Sequence, residues 1–293
     1  MYYIIYGFLY AISLLPFFIL YRLSDFAYFL IYYVFGYRKK GVMENLEIAF
    51  PEKSYAEKKT IAKQFYKNFV DTFIETIKIL SLSDKEFVKR CTGDFSAVDA
   101  VAATGKSIQF MCGHQFNWEY INLFLGRNMK IPFIGVVANI ENKALNRIYN
   151  KLRGKYGTIL IPNSSFKRQM VEWMKQQYSI CLAADQNSAP ERGAWMNFFG
   201  KRVPFIMGPH TSAARFQPVI IYFDFKKPKR GYYKFELLEI ITNPEDYTSE
   251  QFLIKYRDHL ENMIRKDPTN YLWTHRRWKH VYNESYSKNL VEK

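Results

Sequence analysis

The feature that most constrains this chain is a regular alternation between residues 94 and 183. Short apolar runs at 107–112, 133–138, 158–161 and 179–183 read as strands. Between and around them, segments 95–103, 117–125, 142–153 and 165–176 carry apolar residues at helical spacing. Strands alternating with helices through short connections predict an α/β fold with a mixed, largely parallel sheet flanked by helices. Residues 218–226 and 232–241 then predict a hairpin turned at 226–231, and Thr248 caps a helix over 249–266. Ligand sites in such sheets form beyond the carboxyl ends of the strands.

The segments before the alternation are of another kind. Residues 2–21 contain no charge and are long enough to span a bilayer once, with Pro16 tolerated inside. A second uncharged run, 26–37, is too short to span and predicts an interfacial segment. No small-residue cleavage site follows, so the reading is an uncleaved anchor over residues 1–40 and one further domain over 41–293. Arg22, Arg38, Lys39 and Lys40 on the C-terminal side put the bulk of the chain in the cytoplasm by the positive-inside rule. Residues 41–53 read as a short connection. Ser54 and Glu57 form a capping-box pair opening a long amphipathic helix to about residue 79, and Ser83 with Glu86 opens a shorter one.

A formal net charge of +15 calls for an anionic partner, whether nucleic acid, a membrane surface or an acidic protein. The tail residues Trp273, His275, Arg276, Arg277, Trp278 and Lys279 interleave aromatics with cations. They could stack on nucleic acid, but a membrane anchor favours an anionic leaflet, and packing of the arginine stems into the core is a third reading. Cys91, Cys112 and Cys181 have no paired or metal-ligand spacing and fit a reduced compartment. No metal-ligand cluster or glycine-rich nucleotide loop is present in the sequence, so no cofactor is expected.

Chemistry concentrates at residues 111–119. His114 follows a strand end and Gly113, and Glu119 lies five positions on, at the start of a helix. With His114 in the strand-to-helix turn the two side chains can meet, and a carboxylate on one ring nitrogen raises the basicity of the other. That pair can take a proton from a hydroxyl. The plainer reading is a loop histidine beside a helix whose dipole Glu119 complements. Cys112 as a nucleophile is the weaker alternative to a buried strand cysteine.

Several separated motifs, in order, resemble the bacterial late acyltransferases of lipid A biosynthesis, the lauroyl/myristoyl transferase family within the lysophospholipid acyltransferase superfamily. Residues 45–52 are similar to the family's Asn-Leu-x-x-Ala-Phe-Pro-Glu stretch; His114 and Glu119 match its His-x4-Asp/Glu motif, with Asn117 between them. Arg153, the pair Asp185-Gln186, the aromatic-glycine loop Phe198-Phe199-Gly200 and the signature over 271–279 match further motifs. Residues 187–193 depart from the pattern, which usually places an acidic residue and a glycine soon after Asp-Gln.

The resemblance implies transfer of a fatty acyl group from an acyl thioester on acyl carrier protein to a hydroxyl of a lipid A precursor, at the cytoplasmic side of the bacterial inner membrane. An alternative is another lyso-lipid or an amino-acid lipid as acceptor; a non-catalytic tethered binding protein is a third reading. His114 would be the general base, oriented by Glu119, whose loss should then damage turnover more than binding. Asn117, Arg153, Asp185, Gln186, Phe198, Phe199, Gly200, Arg276 and Arg277 would serve substrate binding. Arg153 would bind phosphate or stabilise charge, unless it only complements a helix dipole. Asp185 would hold that arginine or order the pocket, or cap a turn. Phe198 and Phe199, with Trp195, would line an acyl slot, touch lipid or fold into the core.

Overall fold

The structure is a computed structural model and describes residues 1–291. Its helices are α1 (Tyr2–Leu14), α2 (Phe17–Phe29), α3 (Lys39–Ala49), α4 (Tyr55–Lys78), α5 (Asp84–Arg90), α6 (Ser96–Ala103), α7 (Trp118–Asn128), α8 (Lys143–Arg153), α9 (Phe166–Trp173), α10 (Gly208–Phe216) and α11 (Ser249–Lys266). Its strands are β1 (Cys91–Thr92), β2 (Ile108–Cys112), β3 (Phe133–Val137), β4 (Ile159–Pro162), β5 (Ser179–Ala183), β6 (Ala194–Phe198), β7 (Lys201–Phe205), β8 (Val219–Lys229) and β9 (Tyr232–Ile241).

Seven strands form one sheet in the order β1-β9-β8-β2-β5-β3-β4, parallel throughout except for the antiparallel β8–β9 hairpin. Strand β2 is central and buried at every position. Its side chains alternate between two apolar layers: Ile108, Phe110 and Cys112 join one with Ile121, Phe124 and Phe223. Met111 joins the other, with Phe65, Phe116 and Leu260. Gly113 ends the strand where α11 comes close. A Cβ there would stand 2.5 Å from Leu260 Cδ1, so the turn has no room for a side chain.

The mixed, mostly parallel sheet flanked by helices is as expected, and the elements between residues 95 and 183 agree with the sequence reading to within a few residues at their ends. The differences lie elsewhere. Residues 41–53 are not a connection: α3 buries Val42, Leu46 and Ala49 on one face, with Asn45 between them. The hairpin pairing runs past residue 226 to Lys229 opposite Tyr232, with a register shift that accommodates Pro228, which has no N–H for a ladder bond. Strands β6 and β7 form a separate two-stranded hairpin that the alternation does not reveal.

The N-terminal segment is also rearranged. Pro16 breaks residues 2–21 into α1 and α2. At 13 residues α1 is about 20 Å long, short of a hydrocarbon core of about 30 Å. The stretch that is long and apolar enough to cross a membrane is Phe17–Val34, where α2 continues into a π-helical turn, Leu30–Val34. The run at 26–37 is therefore mostly a continuation of this helix. One face of α2 is tied to the domain: Ser24 Oγ donates to Asp71 at 2.7 Å and Tyr21 Oη to Glu75 at 3.0 Å. Phe18, Phe26, Phe29 and Tyr33 are exposed.

Candidate active site

Strand register builds the site. Cys112 at the end of β2 pairs with Ala183 at the end of β5, so the residues two beyond each, His114 and Asp185, emerge side by side. His114 Nδ1 lies 2.6 Å from Asp185 Oδ1, and the His114 backbone N–H donates to Asp185 Oδ2 at 3.0 Å. Asp185 is buried, whereas His114 is 28% exposed on its side chain. With Asp185 ionised, the imidazole donates from Nδ1 and leaves the Nε2 lone pair facing outward. The amide Nε2 of Gln186 stands 3.3 Å from that nitrogen.

Burial opposes charge on both groups, but each offsets it for the other. His114 is held above the ordinary imidazole range by the Asp185 carboxylate and the hydrogen bond to it. Burial pushes Asp185 up, yet the His114 charge and the hydrogen bonds it receives keep its carboxyl below the usual range.

The expected His114–Glu119 pair is corrected by this geometry. Glu119 turns to Arg153, which donates from Nε to Oε2 at 2.8 Å and from Nη2 to Oε1 at 2.6 Å. A helix places Glu119 one residue inside α7, and α8 ends at Arg153 beside it. The carboxylate is thus occupied by a bidentate guanidinium. The alternative in which Asp185 holds Arg153 is likewise replaced: Asp185 orders the imidazole.

His114, Glu119 and Arg153 all line one groove of about 280 Å³ between α7 and the sheet. Its remaining wall is largely apolar, with Trp118, Ile121, Phe133, Val136 and Cys181 among the lining. The groove descends from the strand ends towards Phe133 at the start of β3. Cys112 and Cys181 stand on this wall with their sulfurs 3.6 Å apart, and the contact with the Cys181 thiol, together with burial, pushes the Cys112 thiol up. That shift suits a wall residue better than a nucleophile.

The other expected substrate contacts stand outside the groove. Asn117 is buried and caps α7, accepting from the N–H groups of Glu119 and Tyr120 and donating to Thr72 O and Glu75. Phe198 and Phe199 are core residues packed on Trp278. Phe199 and Gly200 form the two-residue turn of the β6–β7 hairpin, with φ of 52° and 75°, as a type I′ turn requires. The left-handed Phe199 is held by its N–H bond to Glu261 at 2.9 Å and by the Arg265 guanidinium over its ring.

The basic tail works from behind. Arg277 is fully buried; its Nη1 donates to Asn187 Oδ1 at 2.6 Å and Pro204 O at 3.1 Å, its guanidinium lies over the Phe205 ring, and Nε and Nη2 have no hydrogen-bond partner among the described residues. Arg276 is exposed, and its carbonyl accepts from Asn187 Nδ2 at 2.8 Å. The Asn187 N–H donates to Nε2 of His275, which burial and the Arg277 charge push down to about 4. The tail therefore grips the loop that carries Asp185. It grips the His114 loop as well: Gln115 bridges to Tyr271, and the Phe116 N–H donates to Asn270 Oδ1 at 3.2 Å.

Two further groups, Tyr256 and Asn45, position the site without being among its expected residues, although Asn45 opens the motif at 45–52. Tyr256 Oη donates to Cys112 O at 2.7 Å and accepts from Ala184 N at 3.0 Å, joining the two strand ends beneath the dyad. Its signal is a tyrosine on the apolar stripe of α11, where a buried hydroxyl needs partners. Asn45 Nδ2 donates to Trp273 O and His275 O, both at 2.8 Å, and so ties the stretch at 45–52 to the signature at 271–279.

No curated protein matches the chain. A family model described as bacterial lipid A biosynthesis acyltransferase matches residues 1–280, nearly the whole chain. That match covers well over half of its length, and the chain belongs to the bacterial lipid A biosynthesis acyltransferases.

Proposed function

We propose that this acyltransferase moves a fatty acyl group from an acyl carrier protein thioester to a hydroxyl of a lipid A precursor, with His114 as general base and Asp185 as its orienting carboxylate. One observation carries the mechanism: an imidazole whose Nδ1 is held at 2.6 Å by a buried carboxylate, at the lip of an apolar groove. The acceptor hydroxyl displaces the Gln186 amide and bonds to Nε2. Its proton passes to Nε2 as the oxygen attacks the thioester carbonyl, and the imidazolium returns a proton to the departing thiolate. The acyl chain lies along the wall formed by Ile121, Val136 and Cys181. Arg153, paired with Glu119, lines the groove and binds a phosphate of the lipid acceptor there.

The surface chemistry supports the donor and the location. A net charge of +15 suits docking of an acidic carrier protein. The exposed apolar residues of α1 and α2 suit insertion into the inner membrane, with residues 1–40 as the membrane segment, residues 41–293 as the catalytic domain and the active site on the cytoplasmic side. Mass spectrometry of lipid A from cells lacking the protein tests the reading. Loss of one secondary acyl chain, restored by the wild type but not by His114→Ala, is expected. Unchanged lipid A with a missing aminolipid or phospholipid would move the acceptor to that class. Full rescue by His114→Ala would sink the mechanism.

A further inference from the structure

A second cavity, of about 630 Å³, lies between α2, α4, the tip of the β8–β9 hairpin and the segment after α11. Four cations line it: Lys67, Lys227, Lys229 and Arg230. Three acids do so too, Asp25, Asp71 and Asp267, and every one of them is engaged. Asp71, buried, accepts from Ser24, from Lys227 at 3.3 Å and from Arg230 Nε and Nη2. Asp25 accepts from Arg230 Nη2 at 2.7 Å, and Asp267 accepts from Thr269. The cations are not all used. Among the described residues, Lys67 and Lys229 have no acidic partner and face the rings of Tyr28 and Tyr232, and Arg230 Nη1 makes no hydrogen bond.

The cavity thus presents two ammonium groups that lack an anion among the described residues, beside the free Nη1 of the ion-paired Arg230, over a floor of fixed charges. Lys227, only 5% exposed on its side chain, is held there by Asn68 and Asp71. The mouth is bordered by Phe29 and Tyr33, which are half exposed on the same face of the helix that is apolar enough to enter a membrane. A cationic pocket with an apolar rim matches one kind of ligand: an anionic phosphate attached to a hydrocarbon tail that runs along the rim.

We propose that this cavity binds the phosphate group of an anionic lipid through Lys67, Lys229 and Arg230, apart from the His114 groove. The site does not depend on the catalytic reading. Helix α4 runs between the two regions: its Asn68 and Asp71 line the cavity while Thr72 and Glu75 hold Asn117.

The test uses the full chain in a neutral detergent, with binding of dihexanoyl phosphatidic acid, dihexanoyl phosphatidylcholine and inorganic phosphate measured by calorimetry and thermal shift. Phosphatidic acid is expected to bind saturably and more tightly than either of the others. The double variant Lys67→Glu/Lys229→Glu should weaken it by about tenfold or more. A control of equal charge change at exposed lysines elsewhere, Lys143→Glu/Lys288→Glu, should leave it within about twofold. His114→Ala should not alter it, which separates this site from the catalytic one. The milder Lys67→Gln/Lys229→Gln pair should give an intermediate loss, and guards against misfolding of the charge reversal. Equal weakening by the control, or undiminished binding in both pocket variants, would overturn the proposal. Inorganic phosphate binding as tightly as phosphatidic acid would overturn the lipid as its source.

Discussion

Replacing Asp185 with asparagine should separate orientation from packing, because the side chain keeps its size. The carboxylate holds His114 twice, at Nδ1 and at the backbone N–H. An amide can satisfy the backbone N–H with its oxygen only by presenting its NH2 to Nδ1. The imidazole then carries its proton on Nε2 and cannot accept one from the acceptor hydroxyl. What is lost is the general-base share of the rate, typically about 10²–10⁴, or roughly 3–5 kcal/mol of barrier. Asp185→Asn should therefore lower kcat by about 10²–10⁴ with a small change in KM. Glu119→Gln should act differently, since Glu119 holds Arg153 rather than the imidazole: it should raise KM more than it lowers kcat. This reverses the effect expected had Glu119 oriented the base. The assay is steady-state transfer of a labelled acyl group from a carrier-protein thioester, followed across about pH 5–9, where imidazole titrates. Asp185 favours the protonated ring, so wild-type activity should rise with pH through a midpoint above the ordinary imidazole range. Removing the charge should move that acid limb to lower pH. Near-normal kcat in Asp185→Asn, or collapse of kcat in Glu119→Gln to the His114→Ala level, would refute the reasoning.

Other outcomes follow from the same contacts. Tyr256→Phe strands a buried carbonyl on Cys112 and an N–H on Ala184, at about 1–3 kcal/mol each, so thermal unfolding should come several degrees lower and activity should fall with it. Asn45→Ala should cost about 2 kcal/mol by the same logic, read in denaturant titration, since it frees the Trp273 and His275 carbonyls. Cys181→Phe fills the groove, so a series of acyl thioesters should show the preferred chain shortening while short donors still react. For stability, the raised pKa of His114 gives a contribution that is complete below the ordinary imidazole value and lost as pH rises through the raised one. The depressed pKa of Asp185 gives one that is lost as pH falls through the lowered value. Asp185→Asn should therefore cost most stability between the ordinary carboxylate and imidazole ranges, and should flatten the fall in stability on either side of that window.

The sheet was legible in the sequence from residue 95 to 183 because each strand there is a short apolar run closed by a turn residue, and each helix repeats its apolar positions every three or four residues. The same logic failed for α3, whose stripe of Val42, Leu46 and Ala49 is too short and too interrupted by Glu44 and Glu47 to stand out. It failed for β6 and β7 because their two-residue turn contains a phenylalanine with positive φ, a conformation that no local preference announces. Pro16 was readable as a proline but not as a break, since that depended on α2 docking against α4 through Ser24 and Tyr21.

The sequence alone determined that His114 stands at a strand end, that Asp185 stands at another, and that an apolar N-terminal segment precedes both. It could not determine which carboxylate meets the imidazole. Spacing along the chain favoured Glu119, five residues away, and 71 residues separate His114 from Asp185. Only the order of the strands decided the matter, by setting β5 directly beside β2 with Cys112 opposite Ala183. Strand order is a property of how buried surfaces stack over the whole sheet, and no local run of residues encodes it.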